Sequence, residues 1–306
     1  MGLTVADVIR ETTRAHLLAG RGKLFGQCVT AVGWIGGTVP ELTEQEGIIE
    51  LSMADVSGAG IAVGAALVPG QRPIYVIRYQ GFMWYNAAPI LNYAAKSKEM
   101  WGVPCPLAVR SIAMEGAIGP VASGCHHFMP LHMPGIKVAA PMTPKEWASV
   151  WQDYLDGDDP IYISEHRRSF PLQEEMPDVI QDSASVSLVG ISASRLEMVK
   201  AAEILSAEGI VCNLLHLLWL KPLELSETIC RAVAKCRLGL VIDSDYEFCG
   251  ASESIALRLM HATGRPIHAL GLEDRSAGFA PHFDNPTPTA ERIVAKVKSV
   301  LNSTAA

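Results

Sequence analysis

The residues able to do chemistry in this 306-residue chain gather in two stretches. In the first, a lone carboxylate, Asp55, heads a run of small and apolar residues from Val56 to Leu67. A carboxyl group at the mouth of an apolar element is suited to holding or passing a proton, because partial burial brings its exchange closer to neutral pH. As a residue type alone, Asp55 also fits the plainer role of a helix-capping acid. In the second stretch, residues 115–132, Gly116, Gly119 and Gly124 are interspersed with Cys125, His126, His127 and His132. Imidazole titrates near neutrality and serves most often as general acid or base. His126 and His127 are therefore candidate catalytic residues beside Asp55, with surface exposure or helix capping as the plainer reading.

Other chemistries have less support. The seven cysteines are odd in number, scattered and without a CxxC pair, so they read as reduced thiols, and neither disulfides nor a zinc site is expected. No GxGxxG or phosphate-cradling lysine motif appears. A net charge of −7 without a Lys/Arg cluster argues against nucleic acid, which needs a basic face. The apolar run stops at Pro69-Gly70, short of the roughly 20 residues of a membrane span. The first ten residues carry early charges and no apolar signal core, so a cytoplasmic location is expected.

The elements that must position Asp55 follow from pattern. Gly60 and Gly64 share a face if Gly58 to Val68 is helical, and they predict a close approach to a neighbouring helix. Thr4 and Asp7 form a capping-box signal for a helix to about Leu18. Strands are expected over Leu24 to Val29, Ile74 to Tyr79, Cys105 to Arg110, Ile136 to Ala140 and Asp159 to Ser164. Helices are expected over 81–97 and Pro144 to Tyr154, and a loop over Gly33 to Thr38. A polar, proline-containing stretch at 171–183 reads as a linker. Beyond it, strands begin near Ser185, Gly209, Leu238 and Pro266, and helices near Leu196, Leu225, Ser252 and Ala290. Alternation of this kind predicts an α/β chain: a doubly wound parallel-sheet domain over 1–170 and a smaller α/β domain over 184–306.

Several stretches carry a resemblance: AGIAVGAAL at Ala59 to Leu67, RPI at Arg72 to Ile74, LNYAAK at Leu91 to Lys96, HMPGIKVAAP at His132 to Pro141, DDPIYISE at Asp158 to Glu165 and LKPL at Leu220 to Leu223. In these the chain resembles the β subunit of the thiamine-diphosphate-dependent component of 2-oxoacid dehydrogenase complexes, the pyruvate dehydrogenase type of the transketolase-like superfamily. The resemblance implies a pyrimidine-binding domain followed by a transketolase C-terminal-like domain. It also implies an α-type partner that holds magnesium and the diphosphate, an α2β2 heterotetramer, and possible use of a lipoyl or acyl carrier domain. Asp55 stands where the family has a glutamate that bonds the aminopyrimidine ring nitrogen, and is one methylene shorter. Phe82 matches the aromatic that stacks on that ring, with Met53, Arg78 and Tyr85 in neighbouring contact positions. Ala122 falls where the family carries a loop histidine, which leaves His126 and His127 as substitutes. His216 and Leu218 replace an acid and an arginine usual before LKP. The expected activity is transfer of an acyl or ketol unit from a 2-oxo acid or ketose donor to an acceptor. A two-subunit transketolase, an acyloin-forming carboligase and a non-catalytic scaffold subunit are the alternatives.

Overall fold

The computed structural model of the chain describes residues 2–303 and divides into two compact units. The first takes the chain up to Met114, together with Met129–Glu175 and Leu220–Pro222. The second takes Glu115–Phe128, Met176–Trp219 and the chain from Leu223 onward.

The first unit is built on β1 (Leu24–Gln27), β2 (Ile48–Leu51), β3 (Ile74–Ile77), β4 (Ala108–Ala113), β5 (Lys137–Ala139) and β6 (Ile161–His166). Their order is β2-β1-β3-β4-β6-β5, every pair parallel. The edge beyond β5 is closed by β9 (Trp219–Lys221). Strands β3, β4 and β6 are buried along their whole length, as expected when helices cover both faces of a parallel sheet. Between the strands run α1 (Val5–Leu18), α2 (Ala31–Gly37), α3 (Asp55–Ala66), α4 (Met83–Asn92), α5 (Ser97–Trp101), the single turn α6 (Phe128–Leu131) and α7 (Pro144–Asp156).

The capping box forms as expected: Thr4 accepts from the Asp7 backbone N–H while Asp7 takes the Thr4 N–H. Two expectations are corrected. The glycine-rich stretch expected as a loop forms α2, in which residues 33–37 all have positive φ. The long helix expected over 81–97 is broken at Tyr93, so α4 and α5 are separated by a 3-10 turn at Ala94–Lys96. Strands β2 and β9, the two edge strands of this sheet, were not anticipated from the sequence.

The second unit carries a four-stranded sheet of β7 (Val186–Ile191), β8 (Cys212–Leu217), β10 (Leu238–Tyr246) and β11 (Ile267–Leu272) in the order β11-β10-β7-β8, all parallel. Helices α8 (Ser194–Ala207), α9 (Glu227–Lys235), α10 (Ala251–Thr263) and α11 (Ala290–Ser303) connect and cover it. The core under α8 and α11 is aliphatic, with Leu188, Met198, Leu205, Leu240, Ile293 and Val297. Among the described residues no helix is long and apolar enough to cross a membrane.

Candidate functional site

In the first sheet the chain leaves β1 for β2 on one side and returns to β3 on the other. The carboxyl ends of β1 and β3 therefore splay their following loops apart, the crevice in which open α/β sheets bind ligands. A pocket of about 230 Å³ lies there. Gln27 and Cys28 enter it from the end of β1, Val76 to Tyr79 from the end of β3, Met53 from the turn after β2 and Asp55 from the start of α3. Phe82, at the N-cap of α4, and Asn86, in its first turns, also line it.

Asp55 is the first residue of α3. Its Oδ1 accepts a 2.9 Å hydrogen bond from Asn86 Nδ2, and its Oδ2 has no partner among the described residues. Asn86 is fully buried and its amide orientation is fixed. Tyr75 Oη donates to Asn86 Oδ1 at 2.7 Å, while Nδ2 also donates to the Phe82 carbonyl at 2.8 Å. Burial, and secondly the charge of Asp55, push the Tyr75 hydroxyl well above its ordinary pKa, so it remains a donor. The chain Tyr75 to Asn86 to Asp55 thus aims one carboxylate at the pocket with every buried partner satisfied.

The glycine that admits this network is Gly58. A Cβ there would stand 3.1 Å from Tyr75 Oη and 3.3 Å from Leu51 Cδ1. A Cβ at Gly60 or Gly64, the glycines singled out for close helix approach, would instead meet nothing within 4 Å among the described residues; both lie on the outer side of α3, while Ala59, Ala62 and Ala66 face inward.

Of the candidate binding residues, the pocket gathers Met53, Asp55, Arg78 and Phe82. Tyr85 does not line it, but its ring sits 6.4 Å from that of Phe82 and is exposed. Tyr75, Asn86 and Gln27 were not anticipated. Asn86 carried a readable sign in its i, i+4 spacing from Phe82, whereas Tyr75 looked like any aromatic in a buried strand.

His126 and His127 belong to the second unit. There the switch point falls between β7 and β10, and His127 fills it. Its Nε2 lies 2.9 Å from Asp243 Oδ2 and 3.9 Å from Asp245 Oδ2, all three side chains being fully buried. Asp245 also accepts from the Phe128 backbone N–H at 2.9 Å. Burial opposes protonation of His127, but Asp243 and its hydrogen bond lift the imidazole well above its ordinary pKa. Burial above all, with the charges of Asp245 and Asp243 and against the opposing pull of His127, pushes the neighbouring Cys125 thiol up to about 11, which favours its thiol form at neutral pH. His126, partly buried with its ring 5.9 Å from that of Tyr246, is pushed down to about 4 by desolvation. The His127 ion pair fastens the segment 115–128 to the second sheet. Its acids appeared in the sequence as two charges, Asp243 and Asp245, interrupting an apolar strand.

Comparison with known proteins bears on both units. The family model for the transketolase pyrimidine binding domain matches residues 27–173, and that for the transketolase C-terminal domain matches residues 178–293. The chain is 27% identical over 294 residues to the acetoin:2,6-dichlorophenolindophenol oxidoreductase subunit beta of Cupriavidus necator, covering 89% of this chain and 86% of that protein. It is 26% identical to the pyruvate dehydrogenase E1 component subunit beta of Rickettsia felis, covering 98% of each. Among solved structures it is similar to a split-gene transketolase described as an inactive beta4 tetramer, with TM-score 0.74, 15% identity and 99% of both chains covered. It also matches the transketolase of Campylobacter jejuni with TM-score 0.70 and 17% identity, covering 97% of this chain and 47% of that one. With a pyrimidine-binding domain followed by a transketolase C-terminal domain, the chain belongs to the transketolase-like family.

Proposed function

We propose that this chain is the β-type subunit of a two-subunit thiamine-diphosphate-dependent enzyme acting on a 2-oxo acid or ketose donor. The observation that carries this reading is Asp55, held by Asn86 beside Phe82 in the switch-point pocket of the first unit. An aminopyrimidine is flat and carries ring nitrogens and an amino group. An acid with one open oxygen and an aromatic side chain in the same pocket suit that donor and acceptor set. When bound, thiamine diphosphate supplies an acidic ring carbon that bonds to the carbonyl of the donor.

Asp55 is the group that holds or passes the proton at the pyrimidine ring nitrogen. Asn86 and Tyr75 hold its carboxylate at the pocket, where it would meet the ring. Phe82 offers a stacking face, worth about 1 kcal/mol beyond burial, and Met53 covers the pocket mouth.

The pocket borders an apolar surface: Met53 is 74% exposed, Val56 56%, Ile61 49%, Trp84 60% and Tyr85 57%. A patch of this kind calls for a partner. The α-type subunit is that partner, supplying magnesium and diphosphate contacts, in an α2β2 assembly. The split-gene transketolase described as an inactive beta4 tetramer accords with a β chain that is inactive alone.

The test is reconstitution with the co-expressed α-type chain, following donor-dependent bleaching of dichlorophenolindophenol. Both chains and thiamine diphosphate are expected to be required. A pair that binds no thiamine diphosphate would leave only a scaffold role. Product analysis with and without a lipoyl carrier separates dehydrogenase from carboligase or transketolase chemistry.

A further inference from the structure

Between β3 and α4 the chain makes a single 3-10 turn, Gln80–Phe82, whose last residue lines the switch-point pocket. Gln80, at the head of that turn, is fully buried and lies outside the pocket lining. Its Nε2 donates to the Ser111 carbonyl at 3.1 Å and to Ser164 Oγ at 2.8 Å. Ser111 on β4 pairs with Ile77, the last residue of β3, on one side and with Ser164 on β6 on the other. One amide therefore ties the turn to a single row of residues that runs across neighbouring strands.

A buried amide is tolerated only where hydrogen bonds replace its water. An apolar side chain of similar length would fill the same space without that demand, but apolar contact carries no direction. What two bonds from one planar group add is orientation: they fix where the turn stands on the sheet. The turn in its turn places Phe82. The Met83 N–H closes it on the Gln80 carbonyl, and Asn86 Nδ2 takes hold of the Phe82 carbonyl at 2.8 Å. Phe82 is thus held from both sides by a buried amide, Gln80 acting through the turn and Asn86 on the carbonyl.

We propose that Gln80 is a positioning residue for the cofactor: it sets the Phe82 ring against the aminopyrimidine without touching it. This rests on the proposed function and adds to it a residue outside the pocket. Stacking depends on the offset and tilt of the two rings, so a turn free to shift on the sheet loses part of it while the apolar cover remains.

The test compares the affinities of thiamine diphosphate and inorganic diphosphate for the assembled pair by calorimetry, since only the first carries the ring. Gln80→Met keeps the volume and removes both bonds; it is expected to weaken thiamine diphosphate about two- to tenfold and to leave inorganic diphosphate unchanged. In a Phe82→Ala background the same substitution should cost nothing further. Ser164→Ala, which removes one of the two bonds from its other end, should give a smaller loss of the same kind, and it carries the test if Gln80→Met does not fold. Thiamine diphosphate affinity unchanged in both variants, both ligands weakened alike, or a loss that persists without Phe82 would overturn the assignment. A wild-type pair that holds thiamine diphosphate no more tightly than inorganic diphosphate overturns the proposed function as well; a ring-dependent preference indifferent to Gln80 and Ser164 overturns this inference alone.

Discussion

Asn86 shows how one neutral side chain can govern a charged one. Because Tyr75 donates to its carbonyl oxygen, its amide nitrogen must face Asp55. Asn86→Leu keeps the volume but removes this bond, and turnover of the assembled enzyme is expected to fall about tenfold or more. Asp55→Ala should lower it by about a hundredfold or more, read as loss of proton exchange at the thiazolium carbon. Elsewhere in the first unit, Arg110 and Glu165 form a bidentate ion pair at 2.7 and 3.0 Å, with neither side chain more than 2% exposed. Arg110→Met strands a buried carboxylate and should destabilise the chain by about 3–5 kcal/mol in denaturant titration. Asp55 was legible in the sequence because a lone acid ahead of small residues stands out. Asn86 and Tyr75 were not, since their roles arise only when α4 packs beside α3 and β3.

At the scale of elements, both sheets have a switch point, and the two are used differently. In the first, Gln27, Asp55 and Arg78 leave a pocket; in the second, His127 on the 115–128 segment closes the crevice with Asp243 and Asp245. Burial raises Asp245 to about 7 from its ordinary 3.8. The folded chain therefore holds a proton that the unfolded chain has released, and this contribution to stability declines as pH rises from about 4 to about 7. His127, also raised, contributes fully below about 6.5 and loses that contribution as pH climbs through its folded value. Asp245→Asn should flatten the decline of the thermal midpoint between about pH 4.5 and 7, and an undiminished slope would contradict this. The glycines of α3 give a second prediction. Since a Cβ at Gly60 or Gly64 meets nothing within 4 Å among the described residues, Gly60→Ala should stabilise the isolated subunit by about 0.5–1 kcal/mol while weakening its association with the α-type chain. The spacing of these glycines was legible as a packing signal, but sequence alone did not tell inward from outward.

Across the whole molecule, strand and helix alternation was readable because parallel strands buried on both faces appear as short apolar runs between amphipathic helices. Two features escaped it for a common reason. The 115–128 segment belongs with the second unit, and Leu220–Pro222 with the first, although sequence position suggests the reverse; long-range pairing leaves no local periodicity. Lys221 illustrates this, its ammonium donating to the carbonyls of Leu131 and Met133 in a part of the chain some 90 residues earlier. On the proposed reading, the apolar surface around α3 and the start of α4 is the face that the α-type partner covers. The most direct measurement is a cryo-electron microscopy map of this chain assembled with its α-type partner and thiamine diphosphate. The account predicts the aminopyrimidine within hydrogen-bond distance of Asp55 and stacked on Phe82; a ring lodged away from Asp55, or an interface that leaves α3 uncovered, would contradict it.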